Sequence, residues 1–248
     1  MNKLLNQVIG LFKSKAIYYW KPFNRRRLIK FYQPFMEKGD LCFDIGAHIG
    51  NRTDAWLALE TKVLAIEPQP SCVNYLQKRF GSNPNAIILD QAVGAKTGIL
   101  PLKISNRHPT VTTLANEKWQ RRINLIANNT INWDEEIDIQ VVTLDLLIEK
   151  YGLPVFCKID VEGYEAEVLA GLSKAIPNIS FEFFNFTPEI TLACLKHLDQ
   201  IGNYVYNWSL GESQKMDLNP WVNSQTLIET IQAFPKKEFS GDIYAKQK

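Results

Sequence analysis

The chain has 248 residues, 46% of them hydrophobic and 22% charged, a balance that supplies a sizeable core and excludes a disordered protein. The net charge of +2 is unevenly placed: residues 1–36 carry eight bases and no acid, while the rest holds 20 bases against 26 acids. The body therefore lacks the basic stripe that would track nucleic-acid phosphates, and no run approaches the roughly 20 apolar residues of a membrane span.

Residues 3–12 place Leu4, Leu5, Val8, Ile9, Leu11 and Phe12 at helical spacing and predict an amphipathic helix. The basic stretch 1–36 reads as an N-terminal helical segment ahead of a domain over 37–248. Two roles fit it. Its charge and apolar face suit a peripheral membrane contact, whereas Trp20, Phe23, Phe31, Tyr32 and Phe35 suit packing across the domain. No small-residue cleavage site follows an apolar run near the start, and Cys42, Cys72, Cys157 and Cys194 are scattered without a CxxC pair, so a reduced, cytoplasmic setting is expected.

From Leu41 short β-type runs alternate with helical stretches: LCFDIG, a helix over 51–60, KVLAIEP, a helix over 71–80, then AIILDQAV. Residues 94–140 break the rhythm with turn residues and Trp119 and Trp133, between strand-like GILPLKI and DIQVVTL, and read as an insertion over the site. VFCKID, a helix over 165–172, NISFEFF and a helix over 188–200 resume it, and NYVYNWS and GDIYA close the chain as a near hairpin. About seven strands in this order predict an α/β, doubly wound sheet that binds ligands at its carboxyl edge.

At that edge Asp44, Gly46 and Gly50 form a DxGxxxG turn between strand and helix. Ala47-His48 replaces the central glycine of the dinucleotide fingerprint, and an acid here suits an ammonium better than a pyrophosphate. Glu67, followed by Pro68, ends the second strand where an acid can accept both ribose hydroxyls. Asp90 and Ala92 at the next strand end are candidate adenine neighbours, with a packing role equally open. Lys158-Ile159-Asp160-Val161-Glu162-Gly163-Tyr164-Glu165 crowds one cation and three carboxylates into a strand-to-helix turn. Glu162 and Glu165 suit the positive end of the helix that follows, whereas Lys158 and Asp160 share a face of an apolar strand, where charges are paired or catalytic.

The chain resembles the FkbM family of S-adenosylmethionine-dependent methyltransferases in DIGAHIG with Thr53 after it, the IEP strand end, QAVG with GILPL, the PTVTTL bend, the VVTLDLL strand and, most specifically, KIDVEGYEAEVLAG. The family usually has Asn where this chain has His48. The resemblance covers about residues 41–172 and implies a seven-stranded Rossmann-like methyltransferase sheet with its last strand antiparallel. It implies S-adenosyl-L-methionine as cofactor, its methionine end at Asp44, Gly46, Ala47, His48, Gly50 and Thr53. It also implies O-methylation of a small-molecule, peptide or glycan acceptor, with no nucleic acid.

On that reading Asp160 is the first candidate base, oriented or acidified by Lys158, with His108 in the insertion as the alternative and His197 structural. Asp160 with Glu182 offers hard oxygen ligands of the kind Mg²⁺ prefers; a Glu182–Lys158 pair without metal is the favoured reading. A nicotinamide-dependent oxidoreductase or a non-catalytic binding module on the same fold are the rival classes.

Overall fold

A computed structural model describes residues 3–19 and 23–248. Trp20 and Lys21, and the side chains of Lys3 and Leu4, lie outside the described residues. Helices α1 (Lys3–Tyr18) and α2 (Asn24–Tyr32) precede β1 (Leu41–Ile45), α3 (Asn51–Leu57), β2 (Lys62–Ile66), α4 (Pro70–Phe80), β3 (Ala86–Leu89) and β4 (Ala92–Val93). Then follow β5 (Gly98–Ile104), α5 (Glu117–Ile126), β6 (Glu135–Val142), α6 (Leu144–Tyr151), β7 (Phe156–Ile159) and α7 (Glu165–Ala170). The chain closes with β8 (Asn178–Phe184), α8 (Pro188–Ile201), β9 (Tyr204–Leu210), α9 (Ser224–Ala233) and β10 (Ser240–Gln247).

Seven strands form one sheet in the order β3-β2-β1-β7-β8-β10-β9, in which β10 runs antiparallel to both β8 and β9. The central strands are apolar throughout because both faces are covered. Successive residues of β1 show this: Phe43 and Ile45 join the core under α6 to α9, while Cys42 joins the core under α2, α3 and α4. All four cysteines are buried free thiols. Leu28 and Tyr32 of α2, with Met36, share that second core with Trp56, Val63 and Phe156. Tyr32, Trp56 and Phe156 meet edge to face with centroids 5.3 to 5.6 Å apart. Phe31 and Phe35 pack beside them, whereas Phe23 is exposed.

Three elements differ from the sequence reading. AIILDQAV is two strands, not one: Asp90-Gln91 carries the chain from β3 in the main sheet to β4 in a separate three-stranded sheet, β4-β6-β5. VVTLDLL turns helical after Val142 because the Thr143 side chain accepts the Leu146 N–H and caps α6. β9 and β10 pair side by side, but residues 211–239 with α9 join them in place of a hairpin turn.

Trp56 is fully buried at the centre of the α2 side of the sheet. Trp56→Ala should lower stability by about 3–5 kcal/mol, read from urea unfolding followed by far-UV circular dichroism.

Candidate active site

The turn after β1 is built by backbone constraints. Gly46 and Ala47 both donate to the Ile66 carbonyl, which ties the turn to the end of β2. Gly46 has φ +79°, and a β-carbon there would lie 1.8 Å from the Asp160 carbonyl oxygen, so only glycine lets the turns after β1 and β7 touch. His48 is left-handed at φ 51°, and its N–H donates to Glu67 Oε2 at 2.8 Å; the Gln69 N–H donates to Oε1 at 2.8 Å. Burial, opposed by these two bonds, pushes Glu67 up to about 7.

Beneath the cleft, cations and carboxylates from three elements interlock. Lys158, fully buried on β7, donates to Asp242 Oδ1 at 2.8 Å, Asp160 Oδ2 at 3.2 Å and the Ile159 carbonyl at 3.1 Å. Arg52 of α3 reaches Asp160 Oδ2 at 3.3 Å, Glu212 Oε1 at 3.4 Å and Asp242 Oδ2 at 3.5 Å. Asp160 is thus held between two cations: burial pushes it up, but Lys158 and then Arg52 outweigh this and hold it down at about 2. Glu162, left-handed at φ 56°, sits beside it, and burial followed by the charges of Asp160 and Glu165 drives it well above the usual carboxylate range. Glu182 is raised for the same first reason, followed by the charges of Asp160 and Glu162.

The cleft encloses about 770 Å³, part of it open to solvent, at the carboxyl edge of β1, β2 and β7. Gly46, His48, Glu67, Pro68, Ala92 and Asp160 line it, as expected from sequence, and the Pro109–Leu114 bend forms its opposite wall. Other expected residues support the cleft from outside its lining. Asp44 is buried and accepts from the Thr53 N–H and hydroxyl at 3.1 and 2.6 Å, so this pair anchors the start of α3. Gly50, at φ +76°, caps α3 against Leu76 and Phe80, and Ala47 is core. Lys158 acts from beneath.

Three expectations are corrected. Asp90 is exposed and points off the cleft, because the chain is changing sheets there; Gln91 and Ala92 line it instead. His108 lies outside the lining, where burial, then Lys13 and Arg107, lower its pKa; the helical turn Pro109–Val111 presents Pro109 and Thr110 to the cleft. The Glu182–Lys158 pair is likewise replaced, since Asp242 and Asp160 already occupy the ammonium. Asp160, Glu162 and Glu182 bring three carboxylate oxygens within 4.8 Å of one another, the set among the described residues able to hold a cation such as Mg²⁺.

Sequence reasoning missed Arg52, Asp242 and the cleft-facing role of Glu162. A signal existed for Arg52: a cation in the first turn of a helix opposes the macrodipole and calls for a specific partner. The side chain of His48 hydrogen-bonds Ser14 Oγ at 3.1 Å, and burial lowers it to about 4, so it stays neutral while its backbone serves the site. His197 bonds the Leu172 carbonyl at 2.8 Å in the scaffold.

A seven-stranded sheet with one reversed strand beside the last, and a glycine-turn cleft at its carboxyl edge, is the Rossmann-like fold of methyltransferases. Residues 44–208 match the methyltransferase FkbM domain, and the chain belongs to that family of enzymes. It is similar to hexuronic acid methyltransferase AglP of Haloferax volcanii, 25% identical over 150 residues, 58% of this chain and 55% of that protein. The chain thus spans about half the length of the curated relative it matches. Among solved structures it is similar to precorrin-6y C5,15-methyltransferase from Geobacter metallireducens (10% identity, 93% of this chain and 90% of that one, TM-score 0.48). A TehB-like SAM-dependent methyltransferase from Corynebacterium glutamicum gives 11% identity over 99% and 100% of the two chains, with a TM-score of 0.47.

Removing one member of the buried charge set leaves the others uncompensated, so Lys158→Met should cost about 3–5 kcal/mol in denaturant unfolding. A pH dependence follows from Glu67 and Glu165, both pushed up to about 7, chiefly by burial. Between the ordinary value of 4.5 and about 7 the folded state holds protons that the unfolded chain has lost. Stability of the empty protein should therefore fall as pH rises through that window, by up to about 3 kcal/mol per group. Scanning calorimetry at pH about 5 and about 8 should find a smaller drop in Glu67→Gln/Glu165→Gln than in the wild type.

Proposed function

We propose that the cleft binds S-adenosyl-L-methionine and that the enzyme transfers its methyl group to a hydroxyl oxygen of a glycan, peptide or small natural product. The observation that carries this is Glu67 at the end of β2. Two backbone N–H groups fix its carboxylate against the glycine turn, and its other lone pairs are left to accept vicinal hydroxyls. The residues fit the cofactor: Gly46 admits close backbone approach, and the ionised Asp160 supplies a fixed negative charge for a cationic ligand. The fixed charge of Asp160, with Ala47-His48 in place of the middle glycine, disfavours a dinucleotide pyrophosphate and hence the oxidoreductase reading. The relative's printed substrate, a hexuronic acid, favours a glycan among the acceptors. Four buried free cysteines are consistent with a cytoplasmic setting.

When bound, S-adenosylmethionine supplies a methyl group on a sulfonium, open to in-line displacement by an oxygen. Asp160, held at about 2, is a weak base, so its work is orientation and charge. Glu162 suits proton transfer better: it lines the cleft, and burial and two neighbouring acids raise it, so its carboxylate is the stronger base of the two. Once ionised, Glu162 would be placed to accept the acceptor's hydroxyl proton as that oxygen takes the methyl group, a role worth about 10²–10⁴ in rate. The base thus moves from Asp160 to Glu162, two residues along.

Titration calorimetry should show S-adenosylhomocysteine binding to the wild type, NAD failing to bind, and Glu67→Ala binding tenfold or more weakly. In buffers of different ionisation enthalpy, S-adenosylmethionine should release more protons on binding than S-adenosylhomocysteine. Glu162→Gln should abolish that difference and lower turnover of a methylated acceptor about 10²–10⁴-fold. Wild-type turnover in Glu162→Gln would return the base to Asp160 or to solvent.

A further inference from the structure

Helix α1 turns three large apolar side chains, Leu5, Val8 and Phe12, to solvent. A helix laid on a soluble body buries its apolar stripe and exposes its polar one. Among the described side chains of α1 the buried residues are Gly10 and Ser14, which face the body, with Ile9 and Leu11 half-buried. A β-carbon on Gly10 would sit 2.3 Å from the Asn106 carbonyl oxygen, and Ser14 Oγ bonds His48 Nε2 at 3.1 Å. The far end is pinned as well. Lys15 lies over the Tyr75 ring at 4.5 Å, Arg79 over the Tyr19 ring at 4.4 Å, and the Tyr19 hydroxyl donates to the Ile49 carbonyl at 3.0 Å.

The orientation these contacts fix leaves Leu5, Val8 and Phe12 49%, 59% and 56% exposed, one stripe at helical spacing. At about 100° per residue Lys13 and Lys15 bracket that stripe on its two sides. Arg107 stands exposed beyond Lys13, and both act on His108. An apolar line with cations on both flanks matches a surface that is apolar below and anionic above, the headgroup layer of an acidic lipid bilayer. The absence of any acid in residues 1–36 extends the same complementarity. With 16 residues α1 is about 24 Å long, and among the described residues no helix is long and apolar enough to cross a membrane.

The geometry points to α1 as an interfacial helix that seats the enzyme on an anionic bilayer, with Leu5, Val8 and Phe12 inserted among the headgroups. Its other face touches His48, which lines the cleft, and the Asn106–Pro109 segment, so the seated helix is coupled to the cleft wall. This inference is independent of the acceptor chemistry proposed above.

The test is co-sedimentation of the full chain with phosphatidylglycerol vesicles and with phosphatidylcholine vesicles at low salt. Pelleting with the first alone is expected, with loss at high salt. Leu5→Ser/Val8→Ser/Phe12→Ser should weaken binding about a hundredfold or more while far-UV circular dichroism shows the variant folded. Lys13→Gln should weaken it about fivefold. Failure of the wild type to bind anionic vesicles would overturn the proposal. So would undiminished binding of the triple variant, or a stripe that mediates dimerisation in ultracentrifugation without vesicle binding.

Discussion

The structure depends on one buried electrostatic constraint: two cations, Lys158 and Arg52, hold two aspartates, Asp160 and Asp242, between them. The four come from α3, the end of β7 and the reversed strand β10, so the set exists only when these elements are assembled. Burying such charges is expensive, and little net stability is gained over an apolar core of equal volume. What the arrangement supplies is position. Asp160 is kept ionised at the mouth of the cleft, with no freedom to turn away, and its fixed charge in turn raises the neighbouring glutamates.

Around that constraint the cleft divides labour between backbone and side chains. Gly46 lets the turns after β1 and β7 touch, and Glu67 is held by the N–H groups of the left-handed His48 and of Gln69. Side chains of Asp44 and Thr53 are spent on fixing the first turn of α3, which carries Arg52 into the charge set. The small sheet β4-β6-β5 completes the enclosure. Its register places Lys103 opposite Thr113, and the Thr113 hydroxyl bonds the Glu162 carbonyl at 2.7 Å, linking the insertion to the turn after β7.

Much of this was legible beforehand. The alternation of apolar runs and helical stretches from Leu41 to Gln200, the glycine turn, Glu67-Pro68 and the crowded Lys158–Glu165 segment all follow from local pattern, because strand burial and turn geometry leave residue-level marks. The misreadings fall where local pattern is ambiguous. AIILDQAV is continuous as an apolar run, and only the competing pairing of β4 with β6 breaks it. LDLL suits strand or helix, and the Thr143 cap decides.

The sequence by itself determined the strand-and-helix alphabet, the family motif and the chemistry present at the sheet edge, since these rest on side-chain type and short spacing. Only tertiary structure decided which charges meet. Arg52 and Asp242 are 190 positions apart, yet they face each other because β10 inserts between β8 and β9. It also decided that Asp160 is flanked by two cations, which lower its basicity, that His108 lies outside the cleft lining, and that Leu5, Val8 and Phe12 of α1 face outward. Electrostatic environment and burial are properties of neighbours in space, and sequence spacing records them only when those neighbours are also close along the chain.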